Sequence, residues 1–158
     1  MSAGFEEQRS SDTPLTALLL MRQGTEYFAL VLTAAIEALE LPALTAIPGA
    51  PAHLLGMLTD RGTGIPVFAG SRILGVEGLG AGDEVLVIVR DVERQIGLVV
   101  DEVEDVIMAD VTTMQQPMDS MRSDGVVRGV VQSENRLVAL LDARALVRLG
   151  SRALPEVA

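Results

Sequence analysis

The run EVLVIVRDVERQIGLVVDEVEDVIMAD, residues 84–110, decides the fold class. Val85-Leu86-Val87-Ile88-Val89 is an unbroken aliphatic and largely β-branched stretch, the pattern of a strand buried on both faces. Ile96-Gly97-Leu98-Val99-Val100 is a second such strand, and the turn between them falls near Asp91-Val92-Glu93. The same plan occurs earlier. LTALLLMRQGTEYFALVL, residues 15–32, reads as two strands around a tight turn at Gln23-Gly24-Thr25. After it, TAAIEALELPALTAI predicts a short, bent strand, although its AAIEAL core has some helical character.

The two stretches superimpose at an offset of 68, which places Arg22 on Arg90, Phe28 on Ile96, Glu37 on Asp105, Ala38 on Val106 and Leu39 on Ile107. At an offset of 73, His53 to Leu58 falls on Val126 to Val131, and Ile65 to Phe68 on Val138 to Leu141. The chain therefore reads as an internal duplication of a unit of about five short strands. Short strands punctuated by Gly, Pro and Asp imply small barrels or a sandwich, an all-β class. The end, DARALVRLGSRAL, has helical spacing, and predicts a short C-terminal helix closed by Gly150. Residues 1–14 are polar and end in Pro14, as a disordered lead-in would; 151–158 read as a tail, and 15–150 as the domain, with halves of roughly 15–80 and 81–150.

Composition narrows the function. Hydrophobic residues make up 49% of 158, so the chain can bury a core, and with only Phe5, Tyr27, Phe28 and Phe68 as aromatics that core is aliphatic. The net charge of −10, with twelve basic residues that are all arginine, argues against nucleic acid or an anionic membrane as partner. The absence of cysteine removes thiolate chemistry, disulfides and zinc–thiolate sites, and a single histidine, His53, removes histidine metal clusters. No early apolar run is long enough for a bilayer, and the N-terminus lacks the basic region of a signal peptide; the expectation is a cytoplasmic protein without membrane insertion.

Candidate chemistry is sparse. Asp101, Glu102, Glu104 and Asp105 suggest a small acidic-site hydrolase, yet on a strand Asp101 and Asp105 share one face while Glu102 and Glu104 share the other, so the carboxylates diverge. Gly75 to Gly80 resembles a dinucleotide loop only in its glycines, because a strand rather than a helix follows. Ser10, Ser11 and Ser71 have no histidine at a recognisable spacing. Met108, Met114, Met118 and Met121 suit either core filling or an adaptable protein-binding surface. Arg61, between Asp60 and Gly62, is either a solvated turn residue or an interface arginine with a carboxylate partner.

Taken in order, EYFALVLTAAIEALELPALTAIPGAPAHLLGML (26–58), the Arg61-Gly62 turn followed by IPVF, GLVVDEVEDVI and VRGVV resemble the CheW family, the adaptor proteins of bacterial chemosensory arrays. Thr45, Pro48 and Pro51 keep the family's proline spacing, and Gly56, Arg61, Gly62 and Pro66 keep the rest, over roughly residues 15–150. The resemblance implies two intertwined SH3-like five-stranded β-barrels around a shared core, no catalysis and no cofactor. It implies a coupling role between the cytoplasmic tip of a methyl-accepting chemoreceptor and the regulatory domain of a CheA-type histidine kinase, at membrane-associated arrays. A divergent chemosensory pathway, such as one driving type IV pili, is the alternative. By the resemblance, a helix-accepting groove would use Ala35, Glu37, Ala38 and Leu39 from the first half with Val99 and Val106 from the second, and Arg61 would make array contacts. Three departures are visible: Thr59-Asp60 precedes the arginine where Asn-Leu is usual, Ala35 and Ala38 stand for valines, and Ala69 stands for an aspartate that the second half keeps as Asp142.

Overall fold

The computed structural model describes residues 14–80, 82–117 and 125–153; the expected lead-in except for Pro14, and Met118, Met121 and most of the tail, lie outside them. The strands are β1 (Thr16–Gln23), β2 (Glu26–Val31), β3 (Ala35–Glu40), β4 (Leu54–Asp60), β5 (Thr63–Ala69), β6 (Val85–Asp91), β7 (Arg94–Val100), β8 (Glu102–Ala109), β9 (Val127–Ser133) and β10 (Arg136–Leu141). Among the described residues two α-helices accompany them, the five-residue α1 (Gly70–Leu74) and α2 (Ala143–Ala153), with 3-10 turns at Leu32–Ala34 and Val111–Thr113.

The strands form two five-stranded sheets of identical plan. One runs β8-β1-β2-β10-β9 and the other β3-β6-β7-β5-β4. Each sheet thus holds three strands of one sequence repeat and the first hairpin of the other: β1-β2 sits among β8, β9 and β10, and β6-β7 among β3, β4 and β5. The boundary near residue 80 marks the repeat in sequence, whereas the hydrogen-bonded units exchange their hairpins across it. In each unit a bridge closes the sheet towards a barrel. Thr45 and Met57 exchange backbone hydrogen bonds at 2.9 and 2.8 Å, and Gln115 and Val130 do so at 2.9 and 2.9 Å. Pro42, with no N–H to donate, explains why β3 stops before that bridge.

The duplication extends to irregularities. The β3–β6 ladder skips Ile36 between Ala35↔Val89 and Glu37↔Ile88; the β1–β8 ladder skips Glu104 between Val103↔Met21 and Asp105↔Leu20. These bulges are 68 residues apart, and they give β3 the bend expected from its sequence. A second pair, at Leu55 and Arg128, is 73 apart.

The unbroken aliphatic runs follow from this packing. In β6, Leu86 and Ile88 face the interior of the first barrel, while Val87 and Val89 face the core between the barrels. In β1, Leu18 and Leu20 fill the second barrel, while Leu19 and Met21 enter the shared core. Both faces of these central strands are removed from water, so neither can carry polar side chains.

The C-terminal helix forms as expected but does not end at Gly150, which lies inside it. A Cβ there would stand 2.4 Å from Ile96 Cγ2 and 3.1 Å from Phe68 Cε2, so this glycine permits the close approach of helix to core.

Candidate functional site

Residues opposite one another on antiparallel strands share a face, so the registers show where each expected groove residue lies. Ala38 pairs with Val87 and Val106 pairs with Leu19, and both partners belong to the inter-barrel core. Ala38 and Val106 therefore sit at repeat-related places on the two edge strands, where the shared core reaches solvent. Ala38 is exposed and Val106 is 47% exposed. Ala35 packs against the same core at the start of β3, and Val103 does so on β8.

The other three residues divide differently. Leu39 packs against the interior of the first barrel, and Val99 is buried inside that barrel's core. Glu37 is exposed on the same face as Leu39, opposite Ile88. Of the six groove residues, Ala35, Ala38 and Val106 lie on the faces of their edge strands that the registers turn towards the inter-barrel core. Two residues extend that face beyond them. Met108, 57% exposed, pairs with Ala17, and Leu15, 55% exposed, continues the alternation of Ala17, Leu19 and Met21. The second-half flank is thus aliphatic, while the first-half flank is small and acidic, with Ala38 and Glu40. Met108 was visible in sequence as one of several methionines; only its register assigns it to this face, and Met114 by contrast packs against the second barrel's core.

Arg61 lies at the tip of the β4-β5 hairpin, away from β3 in the strand order of its sheet. Arg61 and Gly62 have φ of 52° and 82°, the doubly positive pattern of a type I′ turn. The repeat-related turn, Glu134-Asn135, has φ of 48° and 64°. The arginine is exposed, which favours the reading of an outward-presented guanidinium.

The acidic stretch is organised around backbone and arginine rather than around a cleft. The Asp101 carboxylate accepts from the backbone N–H of Gly24 at 2.8 Å and of Leu79 at 2.9 Å. Buried Gln23 donates to the Val76 carbonyl at 3.2 Å and accepts from the Asp101 N–H at 3.0 Å. These bonds strap the segment after α1 onto the first hairpin. Arg22 lies 2.9 Å from Glu102, 3.4 Å from Glu104 and 3.7 Å from Asp101. Its pKa is raised above the ordinary arginine value, first by the hydrogen bond to Glu102 and then by the three nearby carboxylates, against the lowering effect of desolvation. Arg136 joins at 3.8 Å from Glu104 and covers the Tyr27 ring at 4.6 Å. Carboxylates so occupied do not form an acid–base pair. His53 stacks on Phe68 with ring centroids 5.7 Å apart. Among the described residues no group of His, Cys, Asp or Glu is placed to hold a metal ion, and no helix is long and apolar enough to cross a membrane.

Two exchanged barrels, an aliphatic seam that reaches solvent and an arginine carried on a tight turn define a protein-binding module. The CheW-like domain model matches residues 17–150, and the chain belongs to that family, whose members are scaffolds rather than enzymes. It is 30% identical over 129 residues to the chemotaxis protein CheW of Rhizobium meliloti, covering 79% of this chain and 83% of that one. Against CheW of Bacillus subtilis the identity is 29% over 136 residues, covering 82% and 85%. The fold matches the crystal structure of the scaffolding protein TtCheW from Thermoanaerobacter tengcongensis with a TM-score of 0.74 at 22% identity, covering 82% of this chain and 85% of that one.

Proposed function

We propose that this protein is a cytoplasmic chemotaxis adaptor that couples the helical tip of a methyl-accepting chemoreceptor to the regulatory domain of a CheA-type histidine kinase at receptor arrays. The observation that carries this reading is the solvent-reaching end of the inter-barrel core, where Ala38 and Val106 flank aliphatic Leu19 and Val87. An amphipathic helix buries its apolar face in such a furrow without needing a closed pocket. Ala35 and Ala38 leave the first-half wall shallow, so Val106 and Met108 supply most of the apolar contact. Glu37, on the other face of β3 from Ala38, gives a partner a charged contact outside the furrow, while Leu39 and Val99 support the furrow's first-half wall from inside the first barrel. Arg61 serves a separate contact, since an exposed guanidinium on a rigid turn suits bidentate pairing with a partner carboxylate. The relatives' chemotaxis role supports the same assignment.

The test is sedimentation of the protein with a receptor cytoplasmic fragment and a CheA-type kinase. The adaptor reading predicts a ternary complex in which each partner is retained only when this protein is present. Failure to sediment with either partner would end it.

A further inference from the structure

The bulges at Leu55 and Arg128 hold the same place in the two repeats but carry opposite kinds of side chain. A bulge takes its residue out of the ladder's alternation and aims it anew. In the second repeat that residue is an exposed arginine, as a solvated bulge allows. In the first it is a leucine, 42% exposed. Leu41, just past β3, is 37% exposed, and its N–H donates to the Glu84 carbonyl at 3.4 Å, which sets these two residues side by side. The helix starts differ in the same sense. Asp142 caps α2 by accepting from the Ala145 N–H at 3.1 Å, whereas the repeat-related Ala69 gives α1 no side-chain cap.

Leu41, Leu55, Ala69 and Glu84 line one cavity of about 330 Å³, together with Glu77 of the strap. Its charge is one-sided. Among the described residues its ionisable lining groups are Glu77, Glu84 and Asp101, and no arginine lines it. Asp101 is committed to the N–H groups of Gly24 and Leu79, whereas Glu77 and Glu84 have no ion-pair partner among the described residues. The positions related to Leu41, Leu55 and Ala69 in the second repeat are Ala109, Arg128 and Asp142, which offer no exposed aliphatic side chain. The pairing of part-exposed leucines with free carboxylates therefore belongs to the first repeat alone, and it matches a partner that is apolar and basic at once.

We propose that this cavity docks a basic, aliphatic segment of another protein. One aliphatic side chain of the segment enters between Leu41 and Leu55, and flanking lysines or arginines engage Glu77 and Glu84. Burial of the leucines supplies affinity, and the one-sided charge selects the partner. Of the lining residues only Val99 was also expected in the receptor furrow, and no variant below touches it, so the test does not depend on the coupling role.

The probe is a short synthetic peptide of arginines around a central leucine, titrated into the isotope-labelled full chain and followed by amide chemical shifts. Shifts are expected to cluster at Leu41, Leu55, Ala69, Glu77 and Glu84. Leu55→Arg installs the residue that the second repeat carries at the same bulge; it should fold, and should weaken the peptide about tenfold or more. Leu55→Ala reads the same contact without the added charge and should weaken it by several-fold. Glu77→Gln with Glu84→Gln should also weaken it by several-fold, and added salt should then matter less. A peptide with glycine in place of the leucine separates docking from general attraction to an acidic protein, and is expected to bind about tenfold more weakly. Shifts scattered over the acidic surface, an affinity indifferent to Leu55→Ala or to the Glu→Gln pair, or equal binding of the glycine peptide would each overturn the proposal.

Discussion

Arg61 shows how a single residue can be free to act. Its side chain is exposed and its backbone is fixed by the two-residue turn with Gly62, so the fold does not depend on the guanidinium. Arg61→Ala is therefore expected to change stability by less than about 0.5 kcal/mol while weakening kinase binding, measured by melting and by titration. A collapse in melting temperature would instead reveal a structural ion pair. Gly150 is the opposite case. Gly150→Ala forces a methyl group against Ile96 and Phe68 and should cost about 1–3 kcal/mol in chemical denaturation. Both residues were prominent in the sequence, but for Gly150 the sequence suggested a helix end. A glycine inside a helix and one just past its end look alike without knowledge of what the helix packs against.

The elements themselves were largely legible. Val85 to Val89 and Leu18 to Met21 announce strands buried on both faces, and the repeat offsets of 68 and 73 recur in the ladders and in their bulges. The face on which each groove residue lies was not legible. In a strand with two buried faces the alternation carries no polar mark, so nothing in the sequence distinguishes Val99, inside the first barrel, from Val100, in the shared core. The skipped Ile36 also shifts the parity of β3, which sends Leu39 inward and Ala38 to the seam. The strap is an element-scale device that the sequence presented only as an acidic, glycine-rich linker. Asp101→Ala leaves the N–H groups of Gly24 and Leu79 without their acceptor and should cost about 1–3 kcal/mol. Amide exchange should quicken at both positions; unchanged protection there would show that the strap is held by other contacts.

At the scale of the whole molecule, exchange of the hairpins makes the two barrels interdependent. Neither sheet can be completed by one repeat, since β1-β2 and β6-β7 each sit in the sheet of the other. Separate fragments 1–80 and 81–158 are accordingly expected to be unfolded alone and to regain native circular dichroism when mixed, with one cooperative transition. A fragment that folds by itself as a barrel would contradict the exchanged topology. The same interdependence places a continuous aliphatic core between the barrels, and its exposed end is the proposed receptor furrow.

The most direct test of that furrow is the affinity of the Val106→Asp variant for a receptor cytoplasmic fragment, compared with the unchanged protein and with kinase binding as the control. Val106 is 47% exposed, so the variant should fold, yet its carboxylate would lie on the aliphatic face that a helix must cover. The account predicts loss of receptor binding by at least about tenfold with kinase binding retained. A folded Val106→Asp protein that holds the receptor as tightly as before would contradict it.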